Sequence, residues 1–184
     1  MKRVFDIAVA LIALAVLWPL LLVVALAIRL DSPGPALFRQ TRVGMEGRPF
    51  PMLKFRSMVV DAERVGGYST AVGDPRITRV GHFIRRTSLD ELPQLFNVLR
   101  GDMSWVGPRP DVPAQKGNYG DADWRARHRV RPGITGLAQA TLRSAATPAQ
   151  RLALDLEYVE RASLLFDLKI LLLTVRQVLG KGSY

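Results

Sequence analysis

The chain has 184 residues, enough for one good hydrophobic core and too few for two full domains. It has no Cys and only two His, His82 and His128, which excludes disulfides and thiolate sites and argues against zinc. A metal held by carboxylates and phosphates, such as Mg²⁺, stays open. The formal charge is +10, and 21 of the 26 basic residues are Arg. A guanidinium grips phosphate with two hydrogen bonds, so this bias points to a phosphate-bearing partner: nucleic acid, anionic lipid or nucleotide.

Residues 4–30, VFDIAVALIALAVLWPLLLVVALAIRL, are almost entirely apolar. As one straight helix they would run roughly 40 Å and cross a bilayer. A cleaved signal peptide fits poorly, because the apolar region is longer than the usual signal core and no small-residue cleavage site follows it. Pro19 divides the segment into apolar arms each too short to span alone, and basic residues stand at both ends, Lys2 and Arg3 before and Arg29 after. Both facts suit a kinked, re-entrant hairpin, although a Pro-kinked spanning helix is also tolerated.

From DSPGP onward the composition changes, with Pro33 and Pro35 marking the exit. ALFRQTRV and PFPMLKFRSM, separated by GMEGR, read as a β-hairpin with Lys54 and Arg56 on one face of the second strand. Pro49 and Pro51 confine that strand to an edge or a late start. Residues 65–75 read as a loop, and short helices are expected over 77–86, 90–99 and 121–130. Helical spacing returns over 148–162 and 164–179; the last helix either closes the core or lies in the membrane interface.

No Gly-rich nucleotide loop is present, and two His do not support a Ser-His-Asp set. Asp121 to Asp123, DAD, has the form of the D-x-D metal motif of many glycosyl transferases, but so short a match also occurs in ordinary solvated loops. The densest block is RRTSLDELPQLFNVLRGDMSWVGPRP, residues 85–110, where Asp90 and Glu91 stand among Arg85, Arg86, Arg100 and Arg109. Ser88 and Glu91 have the spacing of a capping box, which offers a purely structural reading of the acidic pair. Pro93 sits awkwardly inside the helix that such a box would start. The other reading is chemical: carboxylates among several Arg suit the meeting of a phosphorylated substrate with an acidic nucleophile and a divalent ion.

This block, together with PGPALFRQTRVGMEGRPFPMLKFRSM before it and RVRPGITGLAQ after it, resembles the bacterial sugar transferases, and among them the small monotopic phosphoglycosyl transferases. LDLEYVERASLLFDLKILLLTV resembles the closing helices of that family. The resemblance implies that Asp90 attacks the phosphate of a nucleotide sugar, with Glu91 as its catalytic partner and Mg²⁺ held at Asp90. It also implies a re-entrant helix broken at Pro19, and phosphate-binding roles for Lys54, Arg85, Arg109 and Arg143. Two departures stand out. Trp18 occupies a position that is often Ser, and ATLRS follows GLAQ where VNGRN is common, so that Arg143 keeps its place without its neighbours.

The expected fold is α+β and mainly helical: a re-entrant membrane segment over 1–31, then a small cytoplasmic catalytic domain over 32–184 with a β-hairpin and interfacial amphipathic helices. The expected reaction moves a sugar 1-phosphate from a UDP-sugar to a polyprenyl phosphate such as undecaprenyl phosphate. The UDP, like the bacterial inner-membrane location on the cytoplasmic face, follows from the resemblance. Nucleic acid is not an expected partner, and a homo-oligomer is compatible with the sequence. The rival reading is a basic, membrane-tethered module that binds nucleic acid or anionic lipid.

Overall fold

The computed structural model describes residues 1–67, 70–71, 73–142 and 147–179. The protein is mostly helical, with two small two-stranded sheets. α1 runs from Lys2 to Asp31 as one helical element with Pro19 inside it. By length and composition it is apolar enough to cross a membrane. Only Asp6, Ala10, Val24 and Ile28 are buried, so its middle presents Leu11, Ile12, Val16, Trp18, Leu22 and Val23 outward.

β1 (Leu37–Val43) and β2 (Pro49–Phe55) form the expected antiparallel hairpin, with Leu37 opposite Phe55 and Val43 opposite Pro49. The two prolines are tolerated because this sheet has only two strands. The outer side of β2 is closed by a side chain. Asn97, fully buried on α4 (Gln94–Arg100), accepts from the Leu53 N–H at 2.9 Å and donates to the Pro51 carbonyl at 2.8 Å. It thereby satisfies strand groups that would otherwise be orphaned in the core.

α2 (Ala62–Gly66) precedes α3 (Arg79–Arg86), which starts where Thr78 accepts a hydrogen bond from the Gly81 N–H. The helix expected over 90–99 is instead a 3₁₀ turn, Leu89–Glu91, followed by α4. Two residues explain the division. Ser88 adopts the left-handed conformation with φ 57°, and Pro93 lacks the N–H that a continuous helix needs. The capping-box reading of Ser88 and Glu91 is therefore corrected: Ser88 makes no side-chain cap. A capping box lies instead at Thr147 and Gln150, which start α7 (Pro148–Arg161).

A short parallel pair, absent from the sequence reading, joins β3 (Ser104–Val106) to β4 (Gly133–Thr135). Between them lies α5 (Asp121–Arg127), three residues shorter than expected. α6 (Leu137–Leu142), α7 and α8 (Leu164–Leu179) finish the body. Val106, Leu137, Ala140, Tyr158, Phe166 and Ile170 form one core cluster. A second sets Ala10 of α1 against Phe50, Met52, Val98 and Met103, and a third sets Val24 and Ile28 against Phe55 and Ile84. Both halves of α1 thus pack on the hairpin and the helices beside it. α8 divides its apolar residues between two sides: Phe166 and Ile170 are buried, while Leu165, Leu168, Leu172 and Val175 are exposed.

Candidate active site

A cleft of about 760 Å³ opens between the hairpin, the segment around α2 and the end of α3. It gathers Lys54, Arg85, Asp90, Glu91 and Arg109, five of the six side chains expected to do chemistry. The sixth, Arg143, lies outside the described residues. Asp121 and Asp123 sit on the first turn of α5 and do not line the cleft.

Each member is placed by a local device. Lys54 comes from the penultimate residue of β2. Arg85 comes from the last turn of α3, whose start is pressed so closely onto the end of β2 that a Cβ at Gly81 would stand 2.0 Å from the Ser57 carbonyl oxygen. The acidic pair sits on the 3₁₀ turn between α3 and α4, and Asn97 fixes α4 to β2. Arg109 enters from the Pro108-Arg109-Pro110 segment after β3.

The two carboxylates have different surroundings. Glu91 Oε1 accepts from both Lys54 Nζ and Arg109 Nη2 at 2.9 Å. Burial pushes the Glu91 carboxyl up, but Arg109 and Lys54 outweigh it and hold the group at about 2. Asp90 is 9% exposed and, among the described residues, makes no side-chain hydrogen bond or salt bridge. Burial raises its pKa against the pull of Lys54, Arg85 and Arg109, and the Glu91 charge adds to the rise. Lys54 is lowered by its own burial, while Arg109 is raised chiefly by Glu91. Arg85 reaches toward Ser57 Oγ at 3.5 Å and has no carboxylate partner among the described residues.

The arrangement therefore holds one anion fixed between two cations and leaves a second, buried carboxylate with its oxygens uncommitted. Such a group is a potential nucleophile, and the cations around it can bind the phosphate that it would attack. No group of three or more His, Asp or Glu that could hold a metal occurs among the described residues.

The sequence placed Arg56 beside Lys54 without giving it a role, and it gave none to Asp6, Asn97 or Arg127, which support the elements around the cleft. Arg56 also borders the cleft, but its guanidinium donates to the Ser32 and Pro33 carbonyls at the end of α1. Asp6 is buried within α1 and accepts from Ser104 Oγ at 3.0 Å. A lone acid in an apolar run was a legible signal for that contact, because burying it unpaired would be costly. Asn97 and Arg127 carried no such signal, since their partners are backbone groups or distant in sequence.

A buried carboxylate ringed by cations, on a chain whose first helix is long and apolar enough to cross a membrane, has the make-up of a site for phosphate chemistry at a membrane. The chain belongs to the bacterial sugar transferase family, whose model matches residues 1–181. It is 49% identical over 185 residues to a UDP-glucose:undecaprenyl-phosphate glucose-1-phosphate transferase of Caulobacter vibrioides, covering 97% of this chain and 69% of that protein. An exopolysaccharide production protein of Rhizobium leguminosarum bv. phaseoli is 47% identical, with 100% of this chain and 97% of the relative covered. A UDP-N-acetylgalactosamine-undecaprenyl-phosphate N-acetylgalactosaminephosphotransferase of Aeromonas hydrophila is 43% identical over 99% of this chain. The chain spans only 44% of that last relative, and about two fifths of several others of similar identity.

Proposed function

We propose that this protein is a phosphoglycosyl transferase that moves a sugar 1-phosphate from a UDP-sugar to a polyprenyl phosphate, as the names of its relatives suggest. The observation that carries the reading is the uncommitted, buried carboxylate of Asp90 within a cleft lined by Lys54, Arg85 and Arg109. A tethered module that binds nucleic acid or anionic lipid explains the net charge but gives no reason to bury a carboxylate among the cations that would bind the polyanion.

In the proposed reaction an Asp90 carboxylate oxygen attacks the phosphorus that bears the sugar. The bond from that phosphorus to the bridging oxygen breaks, and UMP leaves with the electron pair. An oxygen of the polyprenyl phosphate then attacks the same phosphorus and displaces Asp90, giving polyprenyl diphosphate sugar. An ionised carboxylate is a weak nucleophile toward an anionic diphosphate, so the charge must be offset. Of Lys54, Arg85 and Arg109, Arg85 is the one that makes no salt bridge to a carboxylate among the described residues, and it is assigned to the donor phosphates. Lys54 and Arg109 remain tied to Glu91, which acts as a fixed anion that aims them rather than as a base. The donor set fits a Mg²⁺ ion held by Asp90 and substrate phosphates, since Asp90 has oxygens free and Mg²⁺ is commonly bound by one or two carboxylates plus phosphate. When bound there, the ion would neutralise the developing charge on the phosphate oxygens.

α1 is proposed as a re-entrant anchor that enters and leaves on the cytoplasmic face. Support comes from where its two halves pack. Ala10 lies in one core cluster with Phe50 and Met52, and Ile28 in another with Phe55, so both halves of the helix pack against the same domain. A bend near Pro19 would let both stay there in a bilayer and leave the exposed apolar middle to the lipid. The exposed stripe of α8 suits the same interface, where a lipid phosphate meets a water-soluble donor.

Incubating the protein with UDP-glucose or UDP-N-acetylgalactosamine tests the reading. About one equivalent of UMP should appear without acceptor, and mass spectrometry should find a phosphosugar on Asp90 that chelator prevents and Mg²⁺ restores. UMP release that requires acceptor, with Asp90 unmodified, would leave a direct transfer in place of the covalent route.

A further inference from the structure

The segment that carries Arg109 has no regular secondary structure, and Pro108 and Pro110 supply no N–H. Its four carbonyls are nevertheless all held. Pro108 accepts from the Gly133 N–H at 3.0 Å, Arg109 from Arg127 Nη2 at 2.7 Å, Pro110 from Arg42 Nη1 at 2.8 Å, and Asp111 from the Val43 N–H at 2.9 Å. The clamp on Arg109 itself is the unusual one, because Arg127 is 2% exposed and uses every nitrogen of its guanidinium. Nε donates to Asp155 Oδ2 on α7 at 2.9 Å, Nη1 to the Asp111 carboxylate, and Nη2 to the Arg109 carbonyl. The Asp111 carboxylate also accepts from the Tyr119 hydroxyl at 3.2 Å, and Arg127 lies over the Tyr119 ring.

We infer that Arg127 is a positioning residue: it fixes the backbone of Arg109 so that the Arg109 side chain stays on Glu91 and faces the donor phosphates. Arg127 does not line the cleft and acts only through Arg109. The two buried carboxylates hold the guanidinium in the one orientation in which its third corner reaches the Arg109 carbonyl. Lys at this position has a single nitrogen and cannot serve three acceptors spread around a planar fork. The assignment rests on the proposed function for its assay and on the hydrogen-bond geometry for its placement.

A double-mutant cycle separates positioning from general support. Arg127→Lys should weaken UDP binding and slow donor-dependent UMP release by about tenfold, and the same substitution in an Arg109→Ala background should cause no further loss. An equal fold-loss in both backgrounds, or a folded Arg127→Lys protein with unchanged UDP binding, would overturn the inference. Should Arg127→Lys fail to fold, Asp155→Asn replaces it in the cycle. It keeps an oxygen for Nε and should give a smaller loss that also vanishes without Arg109; a loss that persists overturns the inference. A wild-type protein that neither binds UDP nor releases UMP defeats the proposed function instead. The crystal structure of Arg127→Lys then decides the placement alone: Arg109 displaced from Glu91 supports it, and Arg109 unmoved overturns it.

Discussion

A carboxylate buried without a partner costs the fold free energy, and Asp90 carries that cost at neutral pH. Its folded pKa is raised, chiefly by burial, so the folded state binds the Asp90 proton more tightly than the unfolded state does. The sign follows: the penalty is absent below the unfolded value of about 3.9 and grows as pH rises past it. Asp90→Asn should therefore abolish the covalent adduct yet raise Tm at pH 7 by about 2–4 °C for each kcal/mol relieved. A lower Tm would show that the surrounding cations need the charge. Glu91 has the opposite sign. Held at about 2, it adds stability that is present above its unfolded value of about 4.3 and is lost as pH falls through about 2. Glu91→Gln removes one of the charges that raise Asp90 and frees Lys54 and Arg109 to act on it. The acid limb of the first half-reaction should then move to lower pH while turnover falls. If Glu91 instead served as a base, its removal would delete a limb from the profile rather than shift one.

At the scale of elements, α3 and the turn after it are where local sequence and tertiary contact divide the work. The hairpin, α3 and the two C-terminal helices were legible because alternation, caps and helical spacing are local signals. The 3₁₀ turn at Leu89–Glu91 was only half legible: Pro93 announced a difficulty, but nothing local announced that Ser88 would turn left-handed. β3 and β4 were not legible at all, because each has three residues and pairs with a strand nearly thirty residues away. The site followed the same division. The acidic pair and its Arg neighbours could be read as a block, whereas the different surroundings of Asp90 and Glu91 depend on Lys54 and Arg109, which arrive from other elements. Gly81 tests how tightly α3 is seated. Gly81→Ala drives a methyl group against the Ser57 carbonyl and should shift the helix that carries Arg85, costing about 1–3 kcal/mol and lowering turnover with it. Gly117→Ala, which meets open space, is the control and should leave both unchanged.

For the whole molecule, the decisive question is how one apolar helix relates a catalytic domain to a bilayer. The N-terminal end of α1 is tied down by polar contacts: Lys2 pairs with Asp167 of α8, Arg3 donates to the Val98 and Leu99 carbonyls at 2.6 and 3.0 Å, and Asp6 meets Ser104. The other end is tied by Asp31, which accepts from the Val80 N–H at 2.9 Å. Among these ties, those of Arg3 and Asp31 hold the two ends to α4 and α3, the elements that flank the turn carrying Asp90 and Glu91. A spanning topology would have to break one set; breaking the N-terminal one would take Ser104 from buried Asp6 and the Lys2 charge from buried Asp167, which keeps only the Tyr158 hydroxyl. Because the chain has no Cys, single Cys residues at Val4 and Pro35, both exposed, can report the topology. In intact spheroplasts an impermeant thiol reagent should label neither, and after lysis it should label both. Labelling of one position alone in intact spheroplasts would establish a spanning helix and defeat the re-entrant anchor. Pro19→Leu sharpens the test, since it restores a helical hydrogen bond and removes a ring clash worth about 3 kcal/mol. That gain favours a straight helix, so a fraction of the variant should become labelled at one end, with activity lost in the same fraction as the polar ties to α4 or α3 are broken.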